Sequence, residues 1–222
     1  METALVALLP YVIGSAVVPL QIIIGLLFLK SPNQGLLQAI AYVAGMTTTR
    51  LLQGLLFGLV LSGSSSVSSG KSPIVSTLLL VLGILLLITA YRKWIKEVDP
   101  DDPPPKWLTA IDRSTPLKAL GIGIALPLIA PKLWVFTLSA LATISAAQLG
   151  QPTSTIAFLL FIVLAQSLLL LPIVIRIVLP TRSTALLAQV SAWLTQNNRA
   201  IVIIVSLIFG VFFLYSGISG LV

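Results

Sequence analysis

Six long apolar runs dictate most of what this chain can fold into. They occupy residues 5–29, 36–61, 74–91, 117–146, 155–179 and 200–221. A hydrocarbon core about 30 Å thick is crossed by about 20 residues of α-helix. The runs are too long for strands and lack period-two alternation. The fold class read from them is an all-α integral membrane protein with six transmembrane helices. Composition agrees, with 57% hydrophobic and 9% charged residues, against about 45–50% and about 25% in soluble domains. The first run lacks a basic leader, follows Glu2 and is long for a signal sequence, so it reads as a retained span.

Breaker clusters separate the runs: LKSPNQG, SGSSSVSSGKSP, KEVDPDDPPPK, QLGQP, and LPTRST through QNNR. The acidic, Pro-rich segment divides the chain into a first three-helix unit (1–95), a linker (96–115) and a second three-helix unit (116–222), all within one membrane domain. Three spans per unit forces the units into opposite orientations. VVPLQIIIGLLFL near the start of one echoes ALPLIAPKLWVFTL in the other, pairing Pro19 with Pro127 and, further on, Gly83 with Gly210. A 3+3 inverted repeat with Pro-broken helices 1 and 4 is expected, as in transporters that bind cargo at the repeat interface.

Lys30, Arg92, Lys93, Lys96, Lys106, Arg113, Lys118, Arg182 and Arg199 fall in the loops after spans 1, 3 and 5, and Lys71 alone falls on the other side. This asymmetry places those loops in the cytoplasm and both termini outside a cytoplasmic membrane.

Chemistry is narrowed by what is missing. The chain has no Cys and no His, which removes thiol redox chemistry and His-based triads or metal sites. Its carboxylates (Glu2, Glu97, Asp99, Asp101, Asp102 and Asp112) lie outside the apolar runs, leaving none at membrane depth for a proton relay. No enzyme activity, cofactor or metal is expected. The basic residues form no aromatic-interleaved stripe, so no nucleic-acid partner is expected.

Two cations remain inside apolar runs, Arg50 and Lys132. A charge at bilayer centre costs about 2.5–3.5 kcal/mol on insertion scales. At 1.5 Å per residue both lie roughly 15 Å from a helix end, deep for a snorkelling side chain. They are read as ligands for an anionic group in one cavity shared with Gln21, Gln53 and Gln166, beside Thr49. Ser15 and Ser167 add hydroxyls, and Arg176 reads as an interface anchor. Pro19, Pro127 and Pro131 each remove a helix hydrogen bond and mark hinges, whereas Pro172 reads as a simple kink. Gly54 and Gly58 form a GxxxG that permits close packing inside the bundle.

Ala130-Pro131-Lys132 followed by LWVF resembles the Asn-Pro-Lys helix motif of the lysine-exporter (LysE) superfamily. SAVVPLQIIIGLLFLKSP resembles the opening of its glycopeptidolipid/sulfolipid-addressing branch, the GAP or Sap family. Ala130 stands where the motif carries Asn, so no side-chain amide is available there. The resemblance implies an exporter, flippase-like or a secondary carrier, that moves a lipid or small amphiphile with an anionic group. Its partners would be membrane lipids, a second copy of the chain or another membrane protein. The alternative is a non-transporting scaffold or assembly subunit whose basic face docks a partner or anionic lipid heads.

Overall fold

The computed structural model describes residues 2–31, 34–63, 73–95, 111, 114–180 and 183–221. Among these it contains helices and no strand. In chain order they are α1 (Glu2–Ala16), α2 (Pro19–Lys30), α3 (Gly35–Gly63), α4 (Pro73–Ile95), α5 (Pro116–Ile129), α6 (Pro131–Ala146), α7 (Thr153–Ala165), α8 (Ser167–Val178) and α9 (Ser183–Ile218). The Ser-rich and acidic Pro-rich breakers, Lys71, Arg182 and most of the 96–115 linker lie outside the described residues. The end of that linker is not a solvated spacer. Ile111 is buried in a core, and the Ser114 carbonyl accepts a bond from Gln38 Nε2 at 2.7 Å.

α4 and α9 are each long and apolar enough to cross a membrane. The pairs α1–α2, α5–α6 and α7–α8 are bent by 58°, 75° and 65° and pass the same test jointly, so two to five spans are recognisable by length and composition. α3 occupies the remaining run and has 29 residues. Its apolar run is interrupted by Gln38, Thr47, Thr48, Thr49, Arg50 and Gln53. The outer faces carry exposed Leu55, Leu56, Ile177, Ile208 and Val211, a surface suited to lipid.

The breaks have local causes. Val18 precedes Pro19 at φ −94°, ψ 104°, and Ala130 precedes Pro131 at φ −87°, ψ 103°. A residue before proline is pushed out of the helical region, and proline then opens the next helix at its first position. The helix break expected at Pro127 falls four residues further on, at Pro131. Pro127 lies inside α5, and the helix breaks at Ala130-Pro131, with backbone angles close to those at Val18-Pro19. The α7–α8 bend falls at Gln166, and Pro172 sits within α8.

A second correction concerns the last helix. The segment from Ser183 through Arg199, expected to be a breaker, is the first half of α9, a helix of 36 residues. Its Leu187, Ser191 and Leu194 are buried at helical spacing, and tertiary packing outweighs the polar Gln-Asn-Asn run. Arg199 donates from Nε to the Lys93 carbonyl at 3.0 Å and from Nη2 to the Trp94 carbonyl at 2.8 Å. It thereby satisfies carbonyls in the last turn of α4.

Two apolar cores stack through the bundle. One joins α1, α4, α6 and α7 with Phe213 of α9. The other joins α2, α3, α8, Ile111, Ala119 of α5, and Leu187 and Leu194 of α9. Every bent pair thus gives one helix to each core, and the bends lie at the level where one core gives way to the other. Small residues allow the closest contacts. Gly45 of α3 faces the Leu120 carbonyl of α5, and Gly123 of α5 faces the Tyr42 carbonyl of α3, with no room for a Cβ. Gly83 and Gly210 bring α4 against α9 in the same way.

Candidate functional site

The boundary between the two cores is a polar belt. Along the first pair, Ser15 and Gln21 follow Val12 of one core and flank Ile22 of the other. On α3, Arg50 and Gln53 follow Met46. Lys132 sits between α5 and the apolar face of α6, Gln166 between Ala165 and Leu169, and Ser206 between Leu194 and Phe213. Each crossing from core to core therefore carries polar side chains at the depth where helices break.

Arg50 is only 1% exposed. Its Nη2 donates to Ser15 Oγ at 2.8 Å, and its guanidinium carbon stands 5.9 Å from the centroid of the Phe161 ring. Among the described residues, Nε and Nη1 have no partner. One turn on, Gln53 has neither its amide nitrogen nor its amide oxygen partnered, and Gln21 Nε2 and Ser139 Oγ are equally bare. A buried polar group without a bond costs about 1–3 kcal/mol, and a charged one more. Among the described residues there is no ion pair to neutralise the guanidinium. Such a group of donors is suited to bidentate capture of a sulfate, phosphate or carboxylate.

The other expected residues are placed differently. Gln166, at the α7–α8 bend, donates to Thr47 Oγ1 at 3.1 Å, and Thr47 in turn donates to the Val43 carbonyl at 2.9 Å. Gln166 is thus tied to α3 beside the Arg50 cluster. Thr49 lies 3.1 Å from the Ile124 carbonyl and joins α3 to α5. It acts as a helix–helix bond, with its hydroxyl committed. The Tyr42 hydroxyl reaches the Gln21 carbonyl at 3.4 Å.

Lys132 is half-buried at the start of α6. It lines a cavity of about 20 Å³ with Val17, Val18 and Pro19 at the α1–α2 break and Ser206 of α9. Arg50, Gln21, Gln53 and Gln166 are not in that lining, so the two cations occupy separate parts of the belt. Pro19 lines the cavity, and Pro131 immediately precedes Lys132 in the chain.

A groove of about 510 Å³ opens between α3, α6 and α7. Its wall is apolar, with Leu51, Leu55, Leu141, Ile144 and Phe158, and its rim is polar, with Ser145, Gln148, Gln151, Ser154 and Thr155. Gly54 lies in the floor, where the Phe158 ring packs on it and no Cβ fits. Gly58, its GxxxG partner, has open space where a side chain would stand. Phe158 stacks on Phe161 at 6.1 Å between centroids, so one aromatic layer separates the groove from Arg50. At Gly54 the motif packs inside the bundle.

Two participants escaped sequence reasoning. Trp134 Nε1 donates to the Leu128 carbonyl at 2.9 Å, a group freed by the α5–α6 break. Ser139 presents a bare hydroxyl in the other core. Ser139 and Thr143, one turn apart on the same helix face within an apolar run, were the available signal for it. Arg176, read as an anchor, donates to the Pro180 carbonyl at 3.0 Å and to Ser183 Oγ at 3.2 Å, closing the turn into α9.

No curated protein and no solved structure matches this chain. The family model described as Sap, sulfolipid-1-addressing protein, matches residues 8–219. With the match running over nearly all of a chain of membrane helices, broken at Pro19 and at Ala130-Pro131, this membrane protein belongs to the Sap, sulfolipid-1-addressing protein, family.

Proposed function

We propose that the protein is an exporter that moves a lipid or amphiphile with an anionic headgroup across the cytoplasmic membrane, and that it is not an enzyme. The observation that carries this reading is the Arg50 cluster. A guanidinium with two bare nitrogens and a glutamine with both polar atoms bare lie between two apolar cores, at the level of the helix breaks. A membrane protein keeps such groups where cargo or water satisfies them. The family description names a sulfolipid, and a sulfate ester is the anion that this donor set fits. The groove beside Phe158 offers an apolar wall for the tail and a polar rim toward the aqueous side.

The remaining parts of the reading follow the same design. α3 is the sixth span, its polar residues being the site itself. The units before and after the linker form a 3+3 inverted repeat. Its support is the near-identical backbone at Val18 and Ala130, together with the packing of α4 on α6 and of α2 on α9. The termini lie outside, as the Lys/Arg asymmetry requires.

The test is export of the native lipid by Arg50 variants that insert and accumulate normally. Arg50→Gln is expected to slow export by about 10–100-fold, the worth of one charge-assisted pair, and Arg50→Glu to abolish it. Wild-type export by Arg50→Glu would sink the transport reading. It would favour a scaffold, for which the closed surroundings of Arg50, Ser15 and Phe161 already speak.

A further inference from the structure

We infer that the cavity between the two proline breaks is a binding site for a single halide-sized anion, chloride. Its volume of about 20 Å³ suits an occupant of water size, since one water needs about 10–15 Å³ of such space. Arg50, Gln21 and Gln53 are absent from its lining, which separates it from the Arg50 cluster.

Three residues that carry donors line it. Lys132 supplies an ammonium, and among the described residues nothing pairs with it. Ser206 is only 4% exposed, lines the cavity and has no hydrogen-bond partner among the described residues. Val18 is 6% exposed, and among the described residues its N–H finds no backbone acceptor, whereas Val17 N still reaches the Ile13 carbonyl at 3.0 Å. Orphaned buried N–H groups are rare in folded proteins and point to an occupant. The rest of the wall is apolar, with Leu86, Phe136 and Phe209. In so apolar a surround a bare ammonium is costly, and one negative charge offsets it.

The balance of dipoles explains why the site needs Lys132. A C-terminal helix end meets an N-terminal one at each break, α1 with α2 and α5 with α6, and their partial charges oppose each other. The net positive charge is the lysine's. Lys132 belongs to the second unit, Val18 to the first and Ser206 to α9. One chloride therefore bonds the two broken helices to each other, holding the breaks together at the depth where the cores meet. No step of export is assigned to it.

The experiment is direct binding of radioactive chloride to the purified chain in lipid nanodiscs by scintillation proximity, with gluconate keeping ionic strength constant. Saturable binding is expected for the wild type. Lys132→Gln should weaken it by at least about tenfold and Ser206→Ala by about threefold, in line with the loss of a charged and a neutral donor. Arg50→Gln should bind as the wild type does. Thermal unfolding in chloride against gluconate checks that each variant is folded. If Lys132→Gln fails that check, Ser206→Ala carries the test. No saturable binding means that the cavity holds water and overturns the inference. So does binding that survives Lys132→Gln or is lost in Arg50→Gln. Export by Arg50 variants is scored separately, so either result stands without the other.

Discussion

Replacing Gly123 by alanine tests the closest helix contact in the bundle. A Cβ there overlaps the Tyr42 carbonyl oxygen and lies 3.0 Å from its carbonyl carbon and 3.1 Å from Met46 N. All three obstacles are backbone of α3, so no side chain can swing away. Gly45 makes the reciprocal contact with the Leu120 carbonyl, and the pair cannot be relieved by sliding one helix along the other. Overpacking costs about 1–3 kcal/mol, and a backbone obstacle belongs at the upper end of that range. Alanine also gains about 1 kcal/mol over glycine in helix propensity. Gly121, two residues earlier on α5, has nothing within 4 Å and supplies that gain alone. The two variants share chemistry, helix and propensity, and differ only in the steric term. Their stabilities should therefore differ by about 3 kcal/mol, or roughly 6–12 °C in midpoint for a chain of this size. Thermal unfolding of each variant in nanodiscs, followed by tryptophan fluorescence, measures the difference. Gly121→Ala should match or exceed the wild type and Gly123→Ala should fall below it. Equal midpoints would refute the close α3–α5 contact and with it the placement of Arg50.

Trp134→Phe keeps the ring but removes the bond to the Leu128 carbonyl. It should destabilise by about 1–2 kcal/mol and raise amide exchange in residues 128–134 with little change elsewhere; uniform exchange across α5 and α6 would count against a role at the break. Single cysteines at Ser69, Asp102 and Val222 report orientation without background, because the chain has no Cys. An impermeant thiol reagent applied to intact cells should label the first and last and spare Asp102, and the reverse pattern would invert the topology.

The sequence by itself determined the class of fold and the residues that had to be explained. Apolar runs of spanning length leave helices as the economical solution in a membrane, and a charge inside such a run is costly wherever it lands. Arg50, Lys132 and the Pro19 and Pro131 breaks were legible for that reason, as were Gln21, Gln53 and Gln166 as polar residues at depth. Which of the paired prolines broke the helix was not legible. Pro127 can kink α5 or be absorbed by it, and only the structure shows that the helix continues to Ile129. The helical start of α9 was hidden because its Gln and Asn residues read as a breaker until Leu187, Ser191 and Leu194 found a surface to bury against. Only tertiary structure could divide the two cations. Spacing along a chain gives depth in the bundle, but not the direction around it. Arg50 turns toward Ser15 and Phe161 while Lys132 lines the cavity at the α1–α2 break, because each helix is oriented by the glycine contacts that bring its neighbours close.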